Sequence, residues 1–259
     1  MQETLKVTLI QSDLFWENPA ENRRIFSEKI NAISAATDLV ILPEMFTSGF
    51  SMNAKAFAES MEGETIRWLK QTAKQKNLAI VGSLAIKEKD QLYNRFVFIE
   101  PSGFITHYDK RHTFTLAGEH QVYTAGTQKI IIEYKGWKIC PLICYDLRFP
   151  VWARNTEDYD VLIYVANWPK PRINAWDALL KARAIENMCY CIGVNRVGND
   201  ANGHNYPGHS AVYDVLGNLL TKDVSAKEFI ETITLEKNPL TKYRKALGFL
   251  NDRDEFSLK

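Results

Sequence analysis

The chain has 259 residues, 46% hydrophobic and 24% charged, and a formal net charge of +1. That is ordinary globular composition, and nothing in the near-neutral balance suggests a nucleic-acid surface. No run approaches the roughly 18 apolar residues of a membrane helix, and no period of roughly 20 to 50 residues repeats. With no linker-like stretch, residues 1–259 read as a single domain. The start, Met-Gln-Glu-Thr-Leu-Lys, lacks the basic and apolar regions of a signal peptide, so the cytoplasm is the expected compartment. The thiols of Cys140, Cys144, Cys189 and Cys191 are then expected to be reduced.

Leu5 to Gln11 alternates and predicts a first strand. Asn18-Pro19 is a helix cap followed by proline at the first helical position. The helix is expected to reach about Ile33, with Ile25, Phe26, Ile30 and Ile33 on one face. Leu39 to Leu42 is apolar throughout, as a strand covered on both faces must be. Met45 to Met52 is aromatic, contains Gly49, and reads as a loop over a pocket. A second helix opens at Gly63, with Ile66, Leu69 and Ala73 inward, and Leu78 to Ile86 is the next strand. Leu92–Glu100 with Phe104–Tyr108, and Ile130–Tyr134 with Trp137–Cys144, read as antiparallel hairpins. Asp160 to Ala166 is a buried strand. Ala175 to Asn187 is a helix expected to turn Trp176, Leu179, Leu180 and Ile185 inward. Tyr190–Arg196, Ser210–Tyr213, Asn218–Leu220 and Glu228–Leu235 complete the strands. The chain end, Tyr243 to Lys259, is too apolar for a free tail. Periodicity alone gives α/β or α+β.

The stretch Trp137 to Pro150 carries the most chemistry. An apolar strand ends in Cys144, and Tyr145, Asp146 and Arg148 follow at once. A thiol at a strand-to-helix turn faces a sheet edge, and a helix N-terminus there would favour the thiolate. The plainer reading is a small core cysteine. Two further charged residues follow strands in the same way: Glu44 in Leu-Pro-Glu-Met-Phe and Lys110 in Tyr-Asp-Lys-Arg-His. Cys189 and Cys191 lack a second pair at ligand spacing, so no metal site is expected.

Glu44, Lys110 and Cys144, in that order and those contexts, resemble the Glu-Lys-Cys triad of the nitrilase, or carbon–nitrogen hydrolase, superfamily. The resemblance covers nearly the whole chain. It implies a four-layer α-β-β-α sandwich of two packed mixed sheets, and amide hydrolysis through a cysteine thioester with no cofactor. Glu119, in Ala-Gly-Glu-His, matches a second glutamate that would orient Lys110 or position the hydrolytic water. Cys144 would be the nucleophile and Glu44 the proton carrier, its pKa raised by enclosure. Lys110 and the Tyr145 backbone N–H would face the oxyanion. Asp146 and Arg148 are expected to brace the turn by ion pairing.

The runs Pro-Glu-Met-Phe-Thr-Ser-Gly-Phe and Ala-Asn-Trp-Pro-Lys-Pro-Arg resemble the bacterial omega-amidase branch, which cuts the terminal amide of 2-oxo acids. Such a substrate brings a carboxylate that needs a cation besides Lys110. Arg172 is the candidate, with Trp168 and Phe46 as apolar walls. Two other readings stay open: a branch acting on nitriles or N-carbamoyl compounds, and a binding protein with structural cysteines. The expected partners are a small amide and a second copy of the chain.

Overall fold

The computed structural model describes residues 2–222 and 226–258. The chain runs β1 (Thr4–Gln11), α1 (Pro19–Asn31), β2 (Leu39–Ile41), α2 (Glu64–Lys76), β3 (Ala79–Glu88), β4 (Gln91–Ile99) and β5 (Ile105–Asp109). It continues through α3 (Glu119–Val122), β6 (Ile132–Tyr134), β7 (Trp137–Ile143), a 3-10 turn over Cys144–Arg148, α4 (Pro150–Ala153), β8 (Val161–Ala166) and α5 (Ile173–Asn187). The last part is β9 (Tyr190–Asn195), β10 (Val197–Asn199), β11 (Asn205–Pro207), β12 (Ala211–Tyr213), β13 (Phe229–Glu236) and α6 (Lys237–Leu247).

Two mixed sheets result. The first has the order β13-β1-β2-β3-β4-β5 and the second β12-β9-β8-β7-β6. Each has a parallel centre, β1-β2-β3 in one and β7-β8-β9 in the other, with antiparallel strands at the flanks. Side chains of the first sheet alternate between two cores. Val7, Leu9, Ile41 and Val81 join Ile143, Ile163 and Ile192 of the second sheet. Ile10, Val40, Leu42 and Ile80 face the other way, onto Phe26 and Ile30 of α1 and Ile66, Leu69 and Ala73 of α2. On the second sheet's far side, Trp176, Leu180 and Ala184 of α5 close the layer. The layers are therefore α-β-β-α, as the resemblance implied. Each fully buried Leu or Ile contributes about 1.5–3 kcal/mol of transfer free energy.

Local chemistry explains the boundaries. Asn18 caps α1, its side chain accepting from Glu21 N at 3.1 Å. Asn77 ends α2 with φ +53°, in the left-handed region where Asn is tolerated. Gly193 lets α5 approach β9: a Cβ there would lie 2.4 Å from Leu180.

Three expectations change. Ile185 is 44% exposed, and α5 turns Arg183 inward instead, where Nη2 donates to Leu147 O at 2.6 Å. The helix face is set by that polar contact, which an apolar count does not see. Asn218–Leu220 makes only an isolated bridge from Leu219 to Tyr213. The β10–β11 hairpin, short and polar, gave no strand signal. The chain end packs back, with Leu258 beside Phe149, Pro150 and Val151. Lys259 lies outside the described residues.

Candidate active site

Parallel strands present their carboxyl ends at one edge, where open α/β sheets hold ligands. Glu44 follows β2, Cys144 follows β7, and Asn167 follows β8. Lys110 follows β5 in the antiparallel flank. The chain turns sharply at two places here: Met45, directly after Glu44, has φ +43° and Cys144 has φ +42°. A non-glycine residue held there costs of order 1–3 kcal/mol, and such strain gathers at functional sites.

The structure brings Glu44, Lys110 and Glu119 into direct contact. All three are at most 1% exposed. Lys110 Nζ donates to Glu44 Oε1 at 2.9 Å and to Glu119 Oε1 and Oε2 at 3.0 and 2.9 Å. Asn94 Nδ2 bridges the two carboxylates, at 2.8 Å from Glu44 and 3.1 Å from Glu119. Phe114 N donates to Glu119 Oε2 at 2.5 Å. Burial opposes the Lys110 ammonium, but the carboxylates of Glu119 and Glu44 outweigh it and hold its pKa above the ordinary value. Burial raises the Glu119 pKa, with Lys110 opposing and Glu44 adding.

Cys144 is half-buried, and what it exposes faces the same cavity as Glu44 and Lys110. Burial, then the Glu44 carboxylate, pushes its thiol well above the ordinary range, against the pull of Lys110. The turn at Cys144 therefore does not favour the thiolate, contrary to the expectation from a helix N-terminus. A single 3-10 turn supplies too little aligned dipole to offset burial beside a carboxylate. The site sets the Cys144 thiol in one cavity with the Glu44 carboxyl group and with Lys110, which Glu44 and Glu119 hold in place.

The turn is braced from both sides. Asp146 accepts from Ile143 N at 3.0 Å, Tyr108 Oη at 2.8 Å and His112 N at 3.0 Å. Arg183 holds the other end through Leu147 O. The expected Asp146–Arg148 ion pair is absent among the described residues. Asp146 points into the protein, and Arg148 lies over the Trp168 ring at 4.9 Å and lines the cavity.

The cavity measures about 520 Å³. Tyr145, Trp168 and Arg172 line it, as expected. Phe46 does not. It is fully buried on the opposite side, 5.4 Å from Phe26 and 6.1 Å from Trp68, and its ring fills the space a Cβ on Gly82 would occupy. Phe50 is the wall instead, 5.1 Å from Lys110 Nζ. Left-handed backbone at Met45 (φ +43°) and at Gly49 (φ +72°), which lies between the two rings, bends the loop so that they face opposite sides. Asn94 was also missed, although an asparagine inside an apolar strand is itself a signal. The Asp200–Tyr206 hairpin, forming one rim, carried no sequence signal.

The carbon–nitrogen hydrolase family model matches residues 6–244. The chain is a carbon–nitrogen hydrolase. This hydrolase is 45% identical to omega-amidase YafV of Escherichia coli (strain K12), over 98% of each chain. It is 35% identical to 2-oxoglutaramate amidase of Bacillus subtilis (strain 168), over 83% of this chain and 85% of that one. Its fold matches XC1258 of Xanthomonas campestris, a CN-hydrolase superfamily protein, with a TM-score of 0.97 over the whole of both chains at 41% identity. The hydrolase thus stands in the omega-amidase branch of the nitrilase superfamily.

Proposed function

We propose that this hydrolase releases ammonia from the terminal amide of small 2-oxo dicarboxylic acid monoamides, 2-oxoglutaramate and 2-oxosuccinamate, through a thioester on Cys144. The relatives' names support the substrate class. The observation that carries the reading is one cavity joining the Cys144 thiol and the Lys110 ammonium to the guanidinium of Arg172.

Cys144 Sγ attacks the amide carbonyl while its proton passes to Glu44. Lys110 Nζ and the Tyr145 N–H face the oxyanion, and losing one such donor costs on the order of 100- to 1,000-fold in rate. Glu44 returns the proton to the departing nitrogen, and ammonia leaves. A water, deprotonated by Glu44, then attacks the thioester carbonyl, the C–S bond breaks, and Glu44 returns the proton to Cys144 Sγ as the 2-oxo dicarboxylate leaves. Glu119 holds Lys110 in place. Arg172 grips the substrate carboxylate beside Trp168.

Ammonia release from a panel of ω-amides, uncharged amides, nitriles and N-carbamoyl compounds tests this reading. The acidic 2-oxo amides should be cleaved far better than the rest. Arg172→Ala should lower kcat/KM on them about 10- to 150-fold more than on an uncharged amide of equal length. A preference for nitriles or carbamoyl compounds would reassign the substrate.

The whole chain acts as one unit in this reading, because both sheets contribute to the site. Its place of action is the cytoplasm, in keeping with four free cysteines. It works as a homodimer: Val151 is 50%, Phe256 44% and Leu258 52% exposed in one neighbourhood that a second copy would cover. Light scattering at micromolar concentration decides between a dimer and the 29.7 kDa single chain.

A further inference from the structure

Arg148 and Arg172 share a property that sets them apart from the other described arginines. Neither guanidinium makes a hydrogen bond or ion pair among the described residues. Each of the others donates to at least one protein oxygen. Both of the unspent ones line the same cavity as Cys144. Each rests on an aromatic face, Arg148 on Trp168 at 4.9 Å and Arg172 on Phe114 at 5.1 Å. The two platforms are tied together. Trp168 Nε1 donates to Arg172 O at 2.8 Å, so the ring under one guanidinium is anchored to the backbone of the other.

The acidic groups on the rim are already engaged by protein donors. Asp200 accepts from Tyr206 Oη at 2.8 Å and from the backbone N–H groups of Asn202 and His204 at 2.9 Å each. Glu17 accepts from Ser51 Oγ at 2.5 Å and Asn53 Nδ2 at 3.0 Å. Away from the buried Lys110 cluster, the charged groups left with free donors in this cavity are the two arginines.

We propose that Arg148 and Arg172 form a paired guanidinium clamp that selects a 2-oxo acid over the matching 2-amino acid, Arg172 taking the carboxylate and Arg148 the 2-oxo oxygen. This rests on the amidase reading above. 2-Oxoglutaramate and glutamine share a terminal amide and a carboxylate, and they differ at C2. A ketone oxygen accepts a hydrogen bond from Arg148 N–H. An ammonium at C2 would set donor against donor and charge against like charge in a partly desolvated space. Discrimination of this kind comes from the repulsive contact as much as from the attractive one. The aromatic supports hold both forks before substrate arrives, which limits the ordering cost of binding.

The test is kcat/KM on 2-oxoglutaramate, glutaramate (the same chain unsubstituted at C2) and L-glutamine. The wild type should rank them in that order. Arg148→Met, which keeps an apolar stem over Trp168, should shrink the 2-oxoglutaramate-to-glutaramate ratio about 10- to 100-fold and narrow the gap to glutamine. Arg148→Lys should recover part of the ratio. Arg172→Met should weaken all three, since each carries the carboxylate. A second measurement does not need turnover: Cys144→Ala should bind 2-oxoglutarate more tightly than L-glutamate by calorimetry, and adding Arg148→Met should remove the difference. Unchanged ratios in Arg148→Met, with ω-amide cleavage intact, would overturn the clamp and leave the amidase reading standing. No cleavage of any ω-amide by the wild type would overturn both.

Discussion

Asn167 and Glu44 are joined by three hydrogen bonds across the two sheets, the longest from Asn167 Nδ2 to Glu44 Oε2 at 3.4 Å. The Asn167 side-chain N–H donates to Glu44 O at 2.7 Å, and its backbone N–H donates to Glu44 Oε2 at 2.8 Å. Glu44 leaves the first sheet and Asn167 the second, so this pair sets where the carboxylate stands relative to Cys144. Asn167→Ala removes the side-chain half and leaves a buried carbonyl unpaired. It should cost about 1–3 kcal/mol of stability and lower kcat more than it raises KM. Urea unfolding alongside steady-state kinetics checks both.

Cys144→Ala should abolish turnover and keep the fold, because it removes little volume. Glu44→Gln should abolish turnover too, since an amide cannot carry the proton. Lys110→Met should slow the reaction steeply even where substrate still binds. Circular dichroism with ammonia release distinguishes loss of chemistry from loss of structure. Substantial activity in Cys144→Ala would sink the thioester mechanism.

Glu119→Gln tests what holds Lys110. The ammonium would keep the Glu44 contact at 2.9 Å but lose the larger of the two carboxylate contributions that raise its pKa. The pH profile of kcat/KM should then fall off at lower pH on its alkaline side, with kcat reduced. A profile identical to the wild type would assign Glu119 a packing role only.

The thiols predict an alkaline weakness. Burial raises the pKa values of Cys140, Cys144, Cys189 and Cys191 above the ordinary 9.0. The folded protein therefore holds these protons where the unfolded chain releases them. The stability is fully present below pH 9, and it declines as pH rises beyond that value, because the folded state then binds more protons than the unfolded one. Tm should hold up to about pH 9 and drop as pH rises beyond it. Alkylation of Cys144 by iodoacetamide without substrate should climb about tenfold per pH unit past pH 9 without a plateau. A plateau near neutrality would mean that the thiolate is already formed at rest.

Phe46 and Phe50 should separate stability from binding. Phe46→Ala empties a core site and should cost about 3–5 kcal/mol with little change in substrate preference. Phe50→Ala should cost less stability and raise KM, because its ring lines the cavity. Thermal melts and kinetics on both variants read the difference.

Much of this was legible along the chain. Apolar runs such as Leu39–Leu42 and Asp160–Ala166 mark strands because a strand covered on both faces has no room for polar side chains. Asn18-Pro19 marks a helix start because it answers the unpaired N–H groups of the first turn. Glu44, Lys110, Glu119 and Cys144 stood out through their motifs. The tertiary structure decided what depends on which face meets which. Phe46 and Phe50 sit in one loop, and the left-handed residues Met45 and Gly49 bend it so that one ring enters the core and the other the cavity. Arg148 leaves the turn it was expected to brace and lies over the Trp168 ring in the cavity, while Arg183 holds that turn through Leu147 O, because long side chains follow available acceptors and aromatic faces. Asn94 reaches the carboxylates from a neighbouring antiparallel strand. Local sequence records the period of burial, whereas these contacts join residues from separate strands and layers whose positions are set only when the two sheets pack.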